Sequence, residues 1–279
     1  MSLFQAIVLA IVQGVTEFLP VSSSGHLALV PWIAGWPDQG LAYDVATHMG
    51  TLGAVLVYFR REWAGLVLGI LTRGRSVFGG SGDALIPAWR LLGLLILGTI
   101  PAAIVGPFLK DALEGPARKP EWIAAFLIGT AAVLAAGELA GRRRRGLATM
   151  SRADAVIIGL AQAAAVLPGL SRSGTTIAVA MLLGLTREAA ARFSFLLAVP
   201  AIFGAGILIL GGMVIGADTT DAVGPGWGYK ALGAGISFAT ALAALWGLMK
   251  LLRTRSLWPF AGYCFLAGLA ILIARGFGA

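Results

Sequence analysis

Charge is what this chain has least of. Only 12% of its 279 residues are Asp, Glu, Lys or Arg, against about 25% in an ordinary soluble domain. Cysteine is nearly absent. Cys264 is the only one and lies in an apolar run, so no intramolecular disulfide can form and no thiol chemistry is indicated. Histidine is limited to His26 and His48. The first dozen residues are apolar without a basic flank, so a cleavable signal peptide is not expected. Polar–apolar alternation is missing too. The apolar runs are continuous and dominated by Ala, Leu and Gly, which selects helices over a barrel, the two structures that satisfy a backbone in lipid.

What is there in abundance is apolar surface. The chain is 58% hydrophobic with a mean hydropathy of +0.87, and its runs recur along the whole length, as in a polytopic membrane protein. The net charge is +8, with its densest cluster in "GRRRRG" at 141–146. These basic residues lie between apolar runs. They read as topology signals and anionic-lipid contacts, not as a nucleic-acid surface.

Punctuation predicts helical segments at 2–19, 21–35, 44–60, 88–109, 121–141, 152–167, 173–185, 193–216, 229–251 and 256–275. Two neighbouring pairs are short. The first is broken by "LPVSSSG" and the second by "LPGLSRSG". Crossing about 30 Å of hydrocarbon takes about 20 helical residues, so each pair is expected to be a re-entrant hairpin. An offset of 149 residues lays Gln13 on Gln162, Ser22 on Ser171, Ser24 on Ser173 and Gly25 on Gly174, with Pro20 and Pro168 missing by one. Identities confined to the two odd hairpins indicate an internal repeat.

Each half then holds one hairpin and three spans. Three is odd, so the second half must be inverted. Arg60, Arg61, Arg73, Arg75 and Arg90, the arginines of 142–152, and Lys250, Arg253 and Arg255 mark one side as cytoplasmic. The stretches 36–43 and 217–228 hold no Lys or Arg, and the latter carries Asp218 and Asp221. The expectation is an all-α single membrane domain over 1–279, built of two five-helix repeats of opposite topology, 1–141 and 152–279. Both termini lie outside, and the hairpins meet near the midplane. Broken helices at matching positions of inverted repeats point to a binding site.

The candidate site residues follow. Glu17 in lipid would cost about 3 kcal/mol or more, so it should face a polar cavity or pair with an arginine. Gln13, four residues before it, shares its helical face. The hydroxyls of Ser22, Ser23 and Ser24 can cap a helix or supply a nucleophile. His26, just past the break, is either a satisfied interior residue or a proton carrier working near neutral pH. In "PGLSRSGTT", Arg172 stands between Ser171 and Ser173 at a helix start, where free N–H groups and an arginine fork suit phosphate oxygens. Gly169 and Gly174 allow close backbone approach. Asp44 and His48 form another i,i+4 polar pair nearby, which also fits a solvated helix end.

With both motifs in view, the chain resembles the undecaprenyl-diphosphatase family, also called the bacitracin-resistance phosphatases. The likeness rests on "FLPVSSSGH" after Gln13-x-x-x-Glu17, on "PGLSRSGTT", on "HMGTLGAVLVYFRREW" and on "RFSFLLAVPAIFGAG". It covers essentially the whole chain. The resemblance implies a bacterial inner-membrane enzyme that hydrolyses undecaprenyl diphosphate to the monophosphate and recycles the lipid carrier of peptidoglycan synthesis. It also implies a divalent cation, magnesium or calcium, and a site open to the periplasmic face. Carried over by position, Glu17, His26 and Arg172 match the family's acid, imidazole and arginine. Ser23 and Ser24, with Ser171, Ser173 and Thr176, match its hydroxyl positions. Many members have glutamate where this chain has Gln13, which removes one carboxylate from a metal site whose other candidate ligand is Glu17. The expected partners are a prenyl diphosphate and membrane lipids, without nucleic acid; a homo-oligomer is compatible with this reading. The rival class is a transporter or flippase of an anionic prenyl-phosphate lipid.

Overall fold

The computed structural model describes residues 1–72, 76–77, 85–108, 118–214 and 226–276. Among them are eleven α-helices: α1 Leu3–Phe18, α2 Ser23–Ala34, α3 Leu41–Tyr58, α4 Arg60–Leu71, α5 Ala88–Phe108, α6 Pro120–Ala140, α7 Arg152–Ala164, α8 Arg172–Leu182, α9 Arg187–Val214, α10 Trp227–Leu252 and α11 Trp258–Gly276. Helices α5, α6, α9, α10 and α11 are long and apolar enough to cross a bilayer. The outer faces of these helices expose Ile96, Ile104, Phe108, Trp122 and Leu266. Such a girdle is an aggregation liability in water and costs nothing in lipid. The chain is an all-helical, multi-pass membrane protein.

The proline breaks fall where the sequence puts them. Leu19 precedes Pro20 and is extended, at φ −63° and ψ 141°, because a proline ring disfavours the helical conformation in the residue before it. The stretch after Tyr58 differs from expectation. The sequence predicts one helix over 44–60 and a loop beyond it, but the chain kinks at Phe59 and resumes as α4 through Leu71. Arg60 and Arg61 look like loop residues. Yet Leu66 is buried, and buried Glu62 accepts from Arg192 at 2.5 Å, so tertiary contacts hold the helix. The expected loop residues Arg73, Arg75, Asp218 and Asp221 lie outside the described residues.

Helices pack through small residues. A Cβ on Gly14 of α1 would sit 2.6 Å from the carbonyl oxygen of Ser237 on α10, and one on Gly159 of α7 would sit 2.4 Å from that of Gly98 on α5. Backbones this close gain dispersion contacts that lipid-facing Leu cannot supply. Phe18, Phe59, Phe193 and Phe195 are fully buried at the centre. The rings of Phe18 and Phe195 meet edge to face, with centroids 5.5 Å apart, a favoured aromatic geometry.

Ion pairs tie helix ends together. Glu138 accepts from Arg187 Nε at 2.8 Å, from Arg143 Nη1 at 3.1 Å and from the Leu257 amide at 2.8 Å. Arg145 holds Asp154 at 2.6 Å and the Leu183 carbonyl at 2.7 Å. Two members of the arginine run therefore clamp α6, α7 and α8, beyond any role in topology. Removing one partner of a buried cluster strands the other charges. Glu138→Gln should lower stability by about 3 kcal/mol, read as an earlier thermal unfolding in detergent. An unchanged unfolding curve would show the clamp to be dispensable.

Candidate functional site

Between α1 and α2 the backbone takes an uncommon conformation. Ser22 adopts φ 71°, a region that L-residues rarely occupy. Three contacts hold it there. Its Oγ accepts from the Gly25 amide at 3.3 Å, which caps α2, and from the Gly169 amide at 3.1 Å, which belongs to the other break. Its carbonyl accepts from His26 Nδ1 at 2.7 Å. The second break answers in kind. Ser171 caps α8 by accepting from the Gly174 amide at 3.0 Å, and Ser173 Oγ donates to the Leu19 carbonyl at 3.1 Å.

Gly169 takes φ +98°, and a Cβ there would lie 2.5 Å from the Ile123 carbonyl oxygen; glycine meets both demands. A Cβ on Gly25 would lie 3.2 Å from Gly169 Cα. Pro20–Gly25 and Pro168–Gly174 are thus in direct contact, as the repeat predicts.

Glu17 sits at this crossing, 6% exposed. Its Oε2 accepts from Ser23 Oγ at 2.5 Å and from Gln13 Nε2 at 2.9 Å. Its Oε1 accepts from Arg172 Nη2 at 2.6 Å. The arginine that neutralises the acid is therefore the one expected to bind phosphate. Two polar atoms here are left over. Arg172 Nη1 and Gln13 Oε1 are buried without a hydrogen-bond partner, which costs about 1–3 kcal/mol each. A bound group would relieve both.

Other expected residues stand at varied distances from this centre. Ser24 is exposed and its Oγ lies 3.4 Å from that of Ser22. Ser171 and Ser173 hydroxyls are 3.2 Å apart. Thr176 turns inward, to the Arg172 carbonyl at 2.7 Å and the Ser194 hydroxyl at 2.5 Å. His48 does join the site. Its Nδ1 donates to the Asp44 carbonyl at 2.7 Å, leaving Nε2 3.6 Å from Glu17. Asp44 itself is engaged elsewhere, accepting from Gln39 at 2.8 Å and facing Arg118 at 3.7 Å.

Three contributors escape a sequence reading. Thr130 on α6 donates to the Gly169 carbonyl and accepts from the Ser171 amide, bracing the second break. Tyr263 on α11 meets His26 Nε2 at 2.6 Å. Cys264 offers its thiol to the Pro20 carbonyl at 3.6 Å. Each lies in an apolar span far along the chain, so local pattern gives no signal.

An apolar helical bundle whose two proline breaks press a carboxylate, hydroxyls and an arginine together defines a polytopic membrane protein with a buried polar centre. The chain belongs to the bacitracin resistance protein BacA family, whose model matches residues 6–270. The resemblance carried by its two motifs is borne out over nearly its full length. It is 43% identical over 274 residues to an undecaprenyl-diphosphatase of Geobacter metallireducens, covering 98% of each chain. It is 44% identical to those of Alcanivorax borkumensis, covering 98% of each chain, and Nitrosococcus oceani, covering 96% of this chain and 97% of that one.

Proposed function

We propose that this protein hydrolyses undecaprenyl diphosphate to undecaprenyl phosphate and inorganic phosphate, recycling the carrier of peptidoglycan synthesis and conferring bacitracin resistance. The observation that carries the mechanism is Glu17 shared between a serine hydroxyl and an arginine from the opposite break. Arg172 binds the terminal phosphate through the unpartnered Nη1 while Nη2 stays on Glu17, one planar guanidinium bridging acid and substrate. Ser23 Oγ attacks the terminal phosphorus and passes its proton to Glu17 Oε2. The bond to the bridging oxygen breaks, and undecaprenyl phosphate leaves. Glu17 gives this proton up to solvent by way of His26, and water then cleaves the phosphoserine, its proton passing through Glu17 to the departing Ser23 Oγ. His26 carries a proton between site and solvent. Ser22, Ser24, Gly169, Ser171, Ser173, Gly174 and Thr176 shape the cradle.

The donor set suits a divalent cation that shares its shell with substrate. Gln13 Oε1 lacks a partner beside the Glu17 carboxylate, while no cluster of three His, Cys, Asp or Glu exists among the described residues. Magnesium is commonly held this way, by one or two carboxylates plus substrate phosphates. Glu17 and Gln13 would hold it, and when bound it neutralises charge on the diphosphate.

The domain 1–279 is read as two inverted repeats, 1–141 and 152–279, with re-entrant pairs α1–α2 and α7–α8. Support comes from short helices of 16, 12, 13 and 11 residues. The matched Ser22 and Ser171 caps add to it, as does the packing of α1 on α10 and of α7 on α5. The loop charges favour a bacterial inner-membrane orientation with both termini outside and the site opening to the periplasm.

Ser23→Ala tests the nucleophile. Removing an attacking serine should slow formation of the lipid monophosphate by at least about 1000-fold. A loss within about tenfold would assign attack to water oriented by Glu17, with Ser23 as a donor only.

A further inference from the structure

The geometry points to Tyr263 as a positioning residue for His26, holding the imidazole as the Nδ1–H tautomer with Nε2 as its basic nitrogen. This rests on the phosphatase reading. A backbone carbonyl can only accept, so the 2.7 Å contact to Ser22 oxygen places hydrogen on Nδ1. In a neutral ring Nε2 is then an acceptor, and the Tyr263 hydroxyl 2.6 Å away donates to it. The two rings stack, with centroids 5.7 Å apart and planes 12° from parallel, which restrains imidazole rotation as well as its tautomer.

The register of α11 is fixed at the neighbouring residue. Cys264 is fully buried and docks its thiol on the Pro20 carbonyl. Consecutive residues of one helix thus grip the first break on its carbonyl and its histidine. Tyr263 is 46% exposed, between the buried interior and the exposed side chains of Phe265 and Leu266. When Nε2 gains a proton, the phenol oxygen can accept from it, so the contact persists in both protonation states. A histidine held at both nitrogens has one defined basic lone pair, and a proton reaches it by way of the phenol, whose oxygen accepts a proton as it donates its own to Nε2.

The chain has only two histidines, so nitrogen NMR of the full-length, ¹⁵N-histidine-labelled protein in detergent can read the tautomer directly, with His48→Gln used only for assignment. The wild type should show His26 with Nδ1 protonated and Nε2 bare. Tyr263→Phe keeps the stacked ring and deletes the hydroxyl. It should shift the His26 Nε2 signal, which loses its donor, and lower kcat for a prenyl diphosphate about tenfold, leaving KM within about twofold of the wild type. Tyr263→Leu should lower kcat equally if the hydroxyl is what matters. A Tyr263→Phe protein with wild-type kcat and unchanged nitrogen shifts overturns the proposal. So does an Nε2–H tautomer in the wild type, which needs no variant to fold. If the wild type releases no phosphate at all, the phosphatase reading fails, while the nitrogen spectrum still decides the tautomer.

Discussion

Glu17→Gln should leave a folded, inserted protein that still binds a prenyl diphosphate yet releases phosphate at least about 100-fold more slowly, the scale of a lost proton acceptor. Gln keeps the shape of the side chain and can still meet Arg172 and Ser23. It cannot take a proton from Ser23 Oγ, now 2.5 Å from Oε2, and it no longer balances the arginine. With Gln13 alongside, the α1 face would carry two neutral amides, so dependence on a divalent cation should weaken together with turnover. Phosphate release and lipid binding, measured side by side in detergent, check this. Near-normal turnover would reduce Glu17 to a structural counter-ion for Arg172.

Arg172→Lys should lose activity on the scale of a missing phosphate-clamping arginine, about 1000-fold. The side chain divides its work. Nη2 is committed to Glu17 at 2.6 Å, and Nη1 is the buried nitrogen without a partner. A lysine has one compact ammonium and must choose between the carboxylate and the ligand. Folding should survive, because the charge facing Glu17 is kept. Removing that charge with Arg172→Ala would strand a buried carboxylate instead. Steady-state kinetics of the lysine variant, with a thermal melt beside it, separate the two effects. Activity within a few-fold of the wild type would show that Arg172 acts as a point attractor and not as a fork.

The breaks were legible because Pro20 and Pro168 act locally: a ring that removes a helical donor writes its effect into the residues on either side. The polar residues near them were legible for a thermodynamic reason, since Glu17 and Arg172 are too costly in lipid without a partner. They pair with each other across 155 positions because the two breaks meet. Helix α4 was not legible. Its opening Arg60-Arg61-Glu62 looks solvated, and only Arg192, far along the chain, makes Glu62 an interior residue. Thr130 and Tyr263 were hidden for the same reason. A hydroxyl in an apolar span usually bonds back to its own helix, as Thr99 does to Leu95, and nothing local shows that these two reach another element. In the arginine run, side chains that read as uniform charge turn out to be sorted: Arg143 and Arg145 fold back on Glu138 and Asp154.

The most direct test is phosphate release from undecaprenyl diphosphate by the purified protein, with and without a chelator, beside a binding assay for the same lipid. The paired breaks, with acid, hydroxyl and arginine in contact, predict stoichiometric inorganic phosphate and lipid monophosphate, strongly reduced by the chelator and restored by magnesium or calcium. A wild-type protein that binds the diphosphate but never hydrolyses it, under any divalent cation, would contradict the enzyme reading and leave a transporter of an anionic prenyl lipid in its place.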